Sequence, residues 1–319
     1  MTLFLIILLS VLVLLTVIPL TNRKKWWVRM LDFPRLQIVF LFILSLTVCV
    51  FILKQFTLID YFIIGLSVLA LGTQLYYIFP YFIFSKKEVE KSSKNDTCEQ
   101  FSVMVCNVRM KNKTTDKLVK LIQDVKPSLL LVVESNKRWE NALSPLEKRF
   151  KHCIKHPLDN TYGMHLYSNI ELIKSKIEFL IEDDVPSIHA TLKLKTSQCE
   201  LTCIHPRPPA PSEAETSKSR DKELLKVAKQ VKKSSLPSIV LGDLNDVAWS
   251  DTSKDFQQIS KLLDPRKGRG FFNTYHANIP LFRWALDHVF FSKEFKLVKI
   301  KRLKKVGSDH FPIYVELGI

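Results

Sequence analysis

Two short motifs in the C-terminal two-thirds of the chain carry groups suited to acid–base and phosphate chemistry. Gly242-Asp243-Leu244-Asn245 follows a β-branched apolar run at 238–241. A strand alternates its side chains, so Asp243 and Asn245, two residues apart, can face the same way as the chain leaves a sheet. A carboxylate beside an amide can bind a divalent metal, position a water or hold a phosphate oxygen. Ser308-Asp309-His310 precedes a final apolar segment at 311–317, and Asp287-His288 is embedded in another at 284–292. Asn107, Glu134 and His205 each stand where an apolar run stops. Taken singly, each has a plainer reading. Asp and Asn serve turns, Glu134 can be a solvated strand end, and a lone His205 or His310 is more often structural. His165, His189 and His288 read as structural.

The elements that must position these groups follow from periodicity. Residues 100–107 read as a buried strand. After Thr114 or Thr115 as cap, Leu118, Ile122 and Val125 recur at helical spacing until Pro127, and 129–133 form a second buried strand. The same grammar returns later. A strand at 201–204 leads to a helix with Leu224, Leu225, Ala228 and Val231 inward and Lys222, Lys226, Lys229 and Lys233 outward, then to the strand ending at Asp243. Residues 162–168 and 188–194 alternate like antiparallel strands. Two strand–helix–strand units with polar residues at the strand ends predict a layered α/β domain with pseudo-repeated halves and a site at the strand termini.

The N-terminal third is different. Residues 3–20, 36–53 and 61–84 are uncharged apolar runs long enough to span a bilayer, with Gln74 and Pro80 tolerable among neighbouring helices. Trp26, Trp27, Tyr76, Tyr77 and Tyr81 sit where interfacial aromatics belong. The first run lacks the basic start of a signal peptide, and so little intramembrane charge argues against a transporter. The first loop carries Arg23, Lys24, Lys25, Arg29 and Arg35, and Lys86, Lys87, Lys91 and Lys94 follow the third run, whereas the second loop has only Lys54. The positive-inside rule then puts the large domain in the cytoplasm. The expected organisation is a three-helix anchor over 1–85, a linker over 86–98 and a catalytic domain over 99–319.

A formal charge of +16 favours an anionic partner: a phosphate-bearing substrate, nucleic acid or acidic lipid. The Lys-rich helix around 222–233 reads as a solvated face, because no aromatics interleave with its cations. Six cysteines without a CxxC pair point to reduced thiols, with neither a disulfide framework nor a zinc site.

The order Asn107, Glu134, His205, Gly242-Asp243-x-Asn245, Asp287-His288, Ser308-Asp309-His310 resembles the endonuclease/exonuclease/phosphatase (DNase I-like) superfamily, from about residue 100 to the C-terminus. His205-Pro206-Arg207-Pro208-Pro209, Pro280-Leu281-Phe282-Arg283 and the triple-span N-terminus resemble a bacterial membrane-tethered branch of it, held in the inner membrane. Val133 departs from the pattern, standing where many members have Gln before the metal-binding Glu.

The resemblance implies a four-layered α/β sandwich preceded by three transmembrane helices. It implies hydrolysis of a phosphomonoester, phosphodiester or pyrophosphate bond with Mg²⁺ or Mn²⁺. In that reading Glu134 is the main metal ligand, a hard oxygen donor, and Asn107 and Asp309 complete the shell. Asp243 orients and deprotonates the attacking water. Asn245 holds a non-bridging phosphate oxygen. His310, oriented by Asp287, donates to the phosphoryl group, and His205 assists the leaving oxygen or binds phosphate. A lipid-linked or small phosphate is the favoured substrate, with DNA or RNA as the alternative. An inactive membrane adaptor is the contrary reading, and the complete polar set argues against it.

Overall fold

The computed structural model describes residues 3–52, 55–92 and 99–319. Leu53, Lys54 and the linker stretch 93–98, with Lys94 and Cys98, lie outside the described residues. In chain order the elements are α1 (Leu3–Leu20), α2 (Trp26–Met30), α3 (Arg35–Ile52), α4 (Leu58–Ile78), β1 (Gln100–Asn107), α5 (Thr115–Val125), β2 (Leu129–Val133), α6 (Lys137–Leu143), β3 (His152–His156), β4 (Met164–Ser168), β5 (Glu171–Phe179), β6 (Pro186–Lys193), β7 (Gln198–Ile204), α7 (Lys218–Lys233), β8 (Ser238–Asp243), α8 (Asp251–Ser260), β9 (Asp287–Phe291), β10 (Lys296–Arg302) and β11 (Ile313–Gly318).

The strands form two sheets, ordered β10-β11-β1-β2-β4-β3 and β5-β6-β7-β8-β9. Central strands alternate between two apolar environments. Phe101, Val103 and Val105 of β1 join Leu129 and Leu131 of β2 and Ile239 and Leu241 of β8 in the core between the sheets. Met104, Cys106, Leu130 and Val132 turn outward beneath Leu118 and Ile122 of α5 and Trp139 of α6. On the other sheet Val240 and Phe290 turn outward beneath Leu224, Val227 and Ala228 of α7 and Phe256 of α8. Burial on both faces explains why these strands read as continuous apolar runs. The result is the expected helix–sheet–sheet–helix sandwich.

Among the described residues two helices are long and apolar enough to cross a membrane, Leu3–Leu20 and Leu58–Tyr81, and α3 contributes a shorter apolar stretch over Arg35–Phe51. The three pack together through Leu5, Leu9, Leu12, Ile38, Phe42, Cys49 and Ala70, with large apolar side chains also facing outward all round. A Thr57–Asp60 capping box starts α4. The last helix stops sooner than its apolar run. Pro80 lacks an N–H and converts the end to a 3₁₀ turn over Phe79–Tyr81, and Phe82 stacks on Phe84 and against Phe271 beyond it.

The helical part is docked onto the sandwich. Tyr81 is buried, its hydroxyl donating to the Ala248 carbonyl at 2.7 Å, and the Tyr77 ring lies under Lys254 Nζ of α8 at 3.5 Å. These tyrosines therefore serve the contact between the two parts. Asp32, buried, takes Arg35 on one oxygen at 2.6 Å and Arg29 on the other at 3.2 Å, and its carbonyl accepts from the Trp249 indole at 2.7 Å. The 24–26 segment runs along 215–217, with Ser217 N donating to Lys24 O at 2.7 Å and Trp26 N to Glu215 O at 3.0 Å. After α4 the chain stays in contact: Val89 is buried in the inter-sheet core, and Glu88 accepts from Asp264 N and Lys267 Nζ.

Candidate active site

Every catalytic or metal-binding candidate from the sequence lies at one rim of the sandwich, and strand direction is the reason. β1 and β2 are parallel neighbours, as are β7 and β8, so their C-terminal ends share that rim. β9 and β11 run antiparallel to β8 and β1, which brings their beginnings to the same edge. Asn107 thus ends β1, Glu134 follows β2, His205 follows β7, Asp243 ends β8 opposite Asp287 at the start of β9, and Asp309-His310 precedes β11.

Gly242 permits the tight pairing beneath Asp243. It adopts φ +152°, and a Cβ there would sit 1.8 Å from the Ile204 carbonyl oxygen of β7. Gly242→Ala must push β8 off β7, an overpacking cost of roughly 2–3 kcal/mol. The variant is expected to melt well below the wild type in detergent, and an unchanged melting temperature would contradict this strand contact.

A cavity of about 600 Å³ opens at the rim, lined by Glu134, His205, Asn245, Asp309 and His310 among others. Asn107, Asp243 and Asp287 lie beneath its wall, each at most 1% exposed. Asp243 is the hub. Its Oδ2 accepts from Asn107 Nδ2 at 2.9 Å and faces His310 Nε2 at 3.6 Å, while Oδ1 accepts from Asn245 N at 3.0 Å. His205 Nδ1 donates to the Asp243 carbonyl at 3.1 Å, which fixes the tautomer and leaves Nε2 as its other polar group. His310 Nδ1 donates to Asp287 Oδ2 at 2.8 Å. Burial opposes charge on His310, but Asp287 and Asp243 outweigh it and push its pKa up to about 10. Burial likewise works against the Asp243 carboxylate, yet His310 and His205 hold it below its ordinary value. The site therefore holds a carboxylate against an imidazolium at neutral pH.

Ligand atoms of Asp243, Asp287 and His310 lie within 4.8 Å of one another. Because His310 is already engaged with Asp287, that trio is arranged for proton handling. Three carboxylates line the cavity, Glu134, Asp309 and Glu213, and Glu213 is already taken by the Tyr162 hydroxyl at 2.7 Å and by Arg207. Glu134 sits at φ 57°, a backbone setting rare outside glycine. Its carboxylate is steered by Asn107 Nδ2 at 2.8 Å and Met110 N at 3.3 Å. Asn107 donates to both Glu134 and Asp243, while its own oxygen accepts from Arg109 N at 2.9 Å. The donor set is all oxygen and carboxylate-rich, the chemistry that fits Mg²⁺ or Mn²⁺.

Other residues contribute to the site. Arg109, at φ 54°, lines the cavity and pairs with Asp309 at 3.5 Å. Tyr275 lays its ring 4.9 Å from that of His310. Arg207 clamps the proline-rich loop after His205 to Glu182, Asp184 and Glu213. Arg220 of α7 donates to the Asn245 carbonyl at 2.8 Å and pairs with buried Asp246, fixing the turn that carries Asn245 at φ 50°. Arg207 falls inside the His205–Pro209 run, whereas Arg109, Tyr275 and Arg220 reach the site from loops or from α7 without a motif to mark them.

The three histidines read as structural stand apart. His288 accepts from Arg266 on Nδ1 and donates to the Asp246 carbonyl, and burial brings its pKa down to about 3. His165 is fully buried without a hydrogen-bond partner among the described residues, and burial lowers its pKa to about 4. His189 meets Ser187 and Glu178 on the second sheet.

Comparison with known proteins follows the same lines. D. rerio TDP2 complexed with single strand DNA product superposes with a TM-score of 0.56 at 15% identity, covering 69% of this chain and 100% of its own. The human Nocturnin catalytic domain with bound sulfate anion gives 0.55 at 16%, covering 68% and 94%. The endonuclease/exonuclease/phosphatase from Bacteroides vulgatus gives 0.55 at 17%, covering 69% and 98%. At these identities the likeness concerns the fold. No curated protein sequence matches the chain. The profile of the Endonuclease/Exonuclease/phosphatase family, however, matches residues 104–310. With that match over most of its length, the chain belongs to the endonuclease/exonuclease/phosphatase family of metal-dependent phosphate-ester hydrolases.

Proposed function

We propose that this protein is a membrane-anchored phosphoesterase that hydrolyses a phosphomonoester, phosphodiester or pyrophosphate bond by attack of water, using Mg²⁺ or Mn²⁺. One observation carries the reading: Asp243 is gripped by Asn107, Asn245 and His310 directly under a cavity that Glu134 and Asp309 line. Glu134 and Asp309 are the residues that would hold the ion, with Asn107 steering Glu134. Such an ion supplies charge neutralisation at the phosphoryl oxygens and the leaving group.

The chain's own groups divide the remaining work. Asp243, ionised, takes the proton of the attacking water as its oxygen bonds to phosphorus. Asn245 commits one amide hydrogen to the Pro206 carbonyl at 2.9 Å, leaving the other for a non-bridging oxygen. The His310 imidazolium, aligned by Asp287, donates to the phosphoryl group, and His205 serves the leaving oxygen.

Purified full-length protein is expected to release phosphate, or to cleave a phosphodiester, only with Mg²⁺ or Mn²⁺, to stop in EDTA and to recover when metal is restored. Undiminished turnover in EDTA, or no hydrolysis of any phosphate ester with metal present, would end this reading.

All three apolar helices cross the inner membrane of a bacterium in this proposal. The first loop and the sandwich then share a side, which their mutual packing supports, and the basic residues of that loop put both in the cytoplasm. Nuclease action is the second reading, favoured by the DNA-bound TDP2 neighbour and the charge of +16. A steep loss of oligonucleotide binding with salt would mark it.

A further inference from the structure

The catalytic cavity has a wall that the sandwich does not supply. Met30, the last residue of α2, and Phe33, in the turn before α3, line part of it together with Trp284 and Leu286. That wall is fixed in place. Phe33 packs edge-on against Trp284 with ring centroids 5.5 Å apart, and Asp32 between Met30 and Phe33 is held by the Trp249 indole.

The same wall continues into the apolar helices. Phe33 lies two residues before Arg35, where α3 begins. Gln37 of α3 donates to the Leu281 carbonyl at 2.7 Å, which ties the loop preceding Trp284 to the first turn of that helix. Around this junction apolar side chains face solvent: Met30 is 52% exposed, Leu281 78%, Phe282 49% and Ile279 45%. Exposed apolar surface of this kind marks a contact with lipid or with a partner, and here the Gln37–Leu281 bond joins it to α3, one of the three apolar helices. Of the five cations of the first loop, four are already neutralised by acidic partners. Lys24, Lys25, Arg29 and Arg35 are paired with Asp221, Glu215 and Asp32.

We propose that Met30 and Phe33 form the apolar half of the substrate site, so that the substrate is an amphiphile: a phosphate or pyrophosphate ester of a long hydrocarbon chain. Its head enters the Glu134–Asn245–His310 side, and its chain runs along Met30 toward Leu281 and the bilayer. This inference rests on the phosphoesterase reading and specifies its substrate.

The test uses full-length protein in lipid vesicles with Mg²⁺ and two substrates that share one head group, dodecyl phosphate in the bilayer and water-soluble butyl phosphate, beside a single-stranded oligonucleotide. Wild type should prefer the long-chain ester, and Met30→Gln should cut the ratio of long-chain to short-chain kcat/KM by about tenfold, as expected for polar intrusion into an apolar subsite. Leu281→Gln, at an exposed position remote from the folding core, should lower the same ratio. Equal handling of both esters by wild type, a ratio untouched in both variants, or faster cleavage of the oligonucleotide would overturn the proposal while leaving phosphate-ester hydrolysis standing. Failure to hydrolyse any of the three substrates, with dodecyl pyrophosphate and a small phosphodiester also left intact, would remove the phosphoesterase reading itself.

Discussion

Asp243→Asn should lower kcat by about a thousandfold, within the usual range for loss of a positioned general base, and should change KM little. The substitution is isosteric and keeps an oxygen for the Asn245 amide, so the turn at 243–245 stays in place. What disappears is the charge that accepts the proton from water and that His310 faces at 3.6 Å, together with the acceptor for Asn107 Nδ2. Because His310 retains Asp287 at 2.8 Å, the imidazolium keeps a partner and the variant should fold. Steady-state phosphate release, read beside circular dichroism, checks both halves. Residual activity within tenfold of wild type in a folded variant would remove Asp243 from the reaction.

Glu134→Gln separates metal holding from proton handling. Glu134 is placed by a left-handed backbone and two hydrogen bonds, and an amide offers a weaker and neutral oxygen to a hard cation. Mn²⁺ affinity, measured by calorimetric titration, should fall by about a hundredfold or more, at or beyond the upper end of what disturbing a ligand's support costs. Activity should fall with it and return in part at high Mg²⁺. A variant that binds Mn²⁺ as wild type does would show that the ion is held elsewhere. The contrast with Asp243→Asn is informative, since that variant should not be rescued by metal.

The strand-end motifs were legible because each marks the end of a strand buried on both faces. At Asn107, Glu134 and Asp243 the apolar run ends abruptly in a polar group, and no turn rule demands all of them in that order. The strands that left no trace, β3, β5 and β10, are edge strands of their sheets. Half-exposed, with sequences such as Glu171–Phe179, they carry the charges that keep an edge from pairing with another chain, and those charges erase the apolar pattern. Arg109, Tyr275 and Arg220 stayed hidden for another reason. Their contributions come from loop and helix geometry that only the assembled fold defines. The apolar run at 61–84 overstated its helix because hydrophobicity is blind to purpose: Tyr77 and Tyr81 are as greasy as membrane residues yet pack on the sandwich.

The knot at Asp32 has a mechanical meaning. Arg29 donates to the Pro19 carbonyl at the end of α1, Arg35 opens α3, and Trp249 clasps the backbone between them. On the proposed membrane placement the catalytic head is mounted like a turret with its tilt locked, not swung on a leash. Molecules free in the cytosol gain nothing from such mounting. A phosphate carried at one fixed height by a lipid, arriving by sideways drift in two dimensions, meets an aperture that is already facing it.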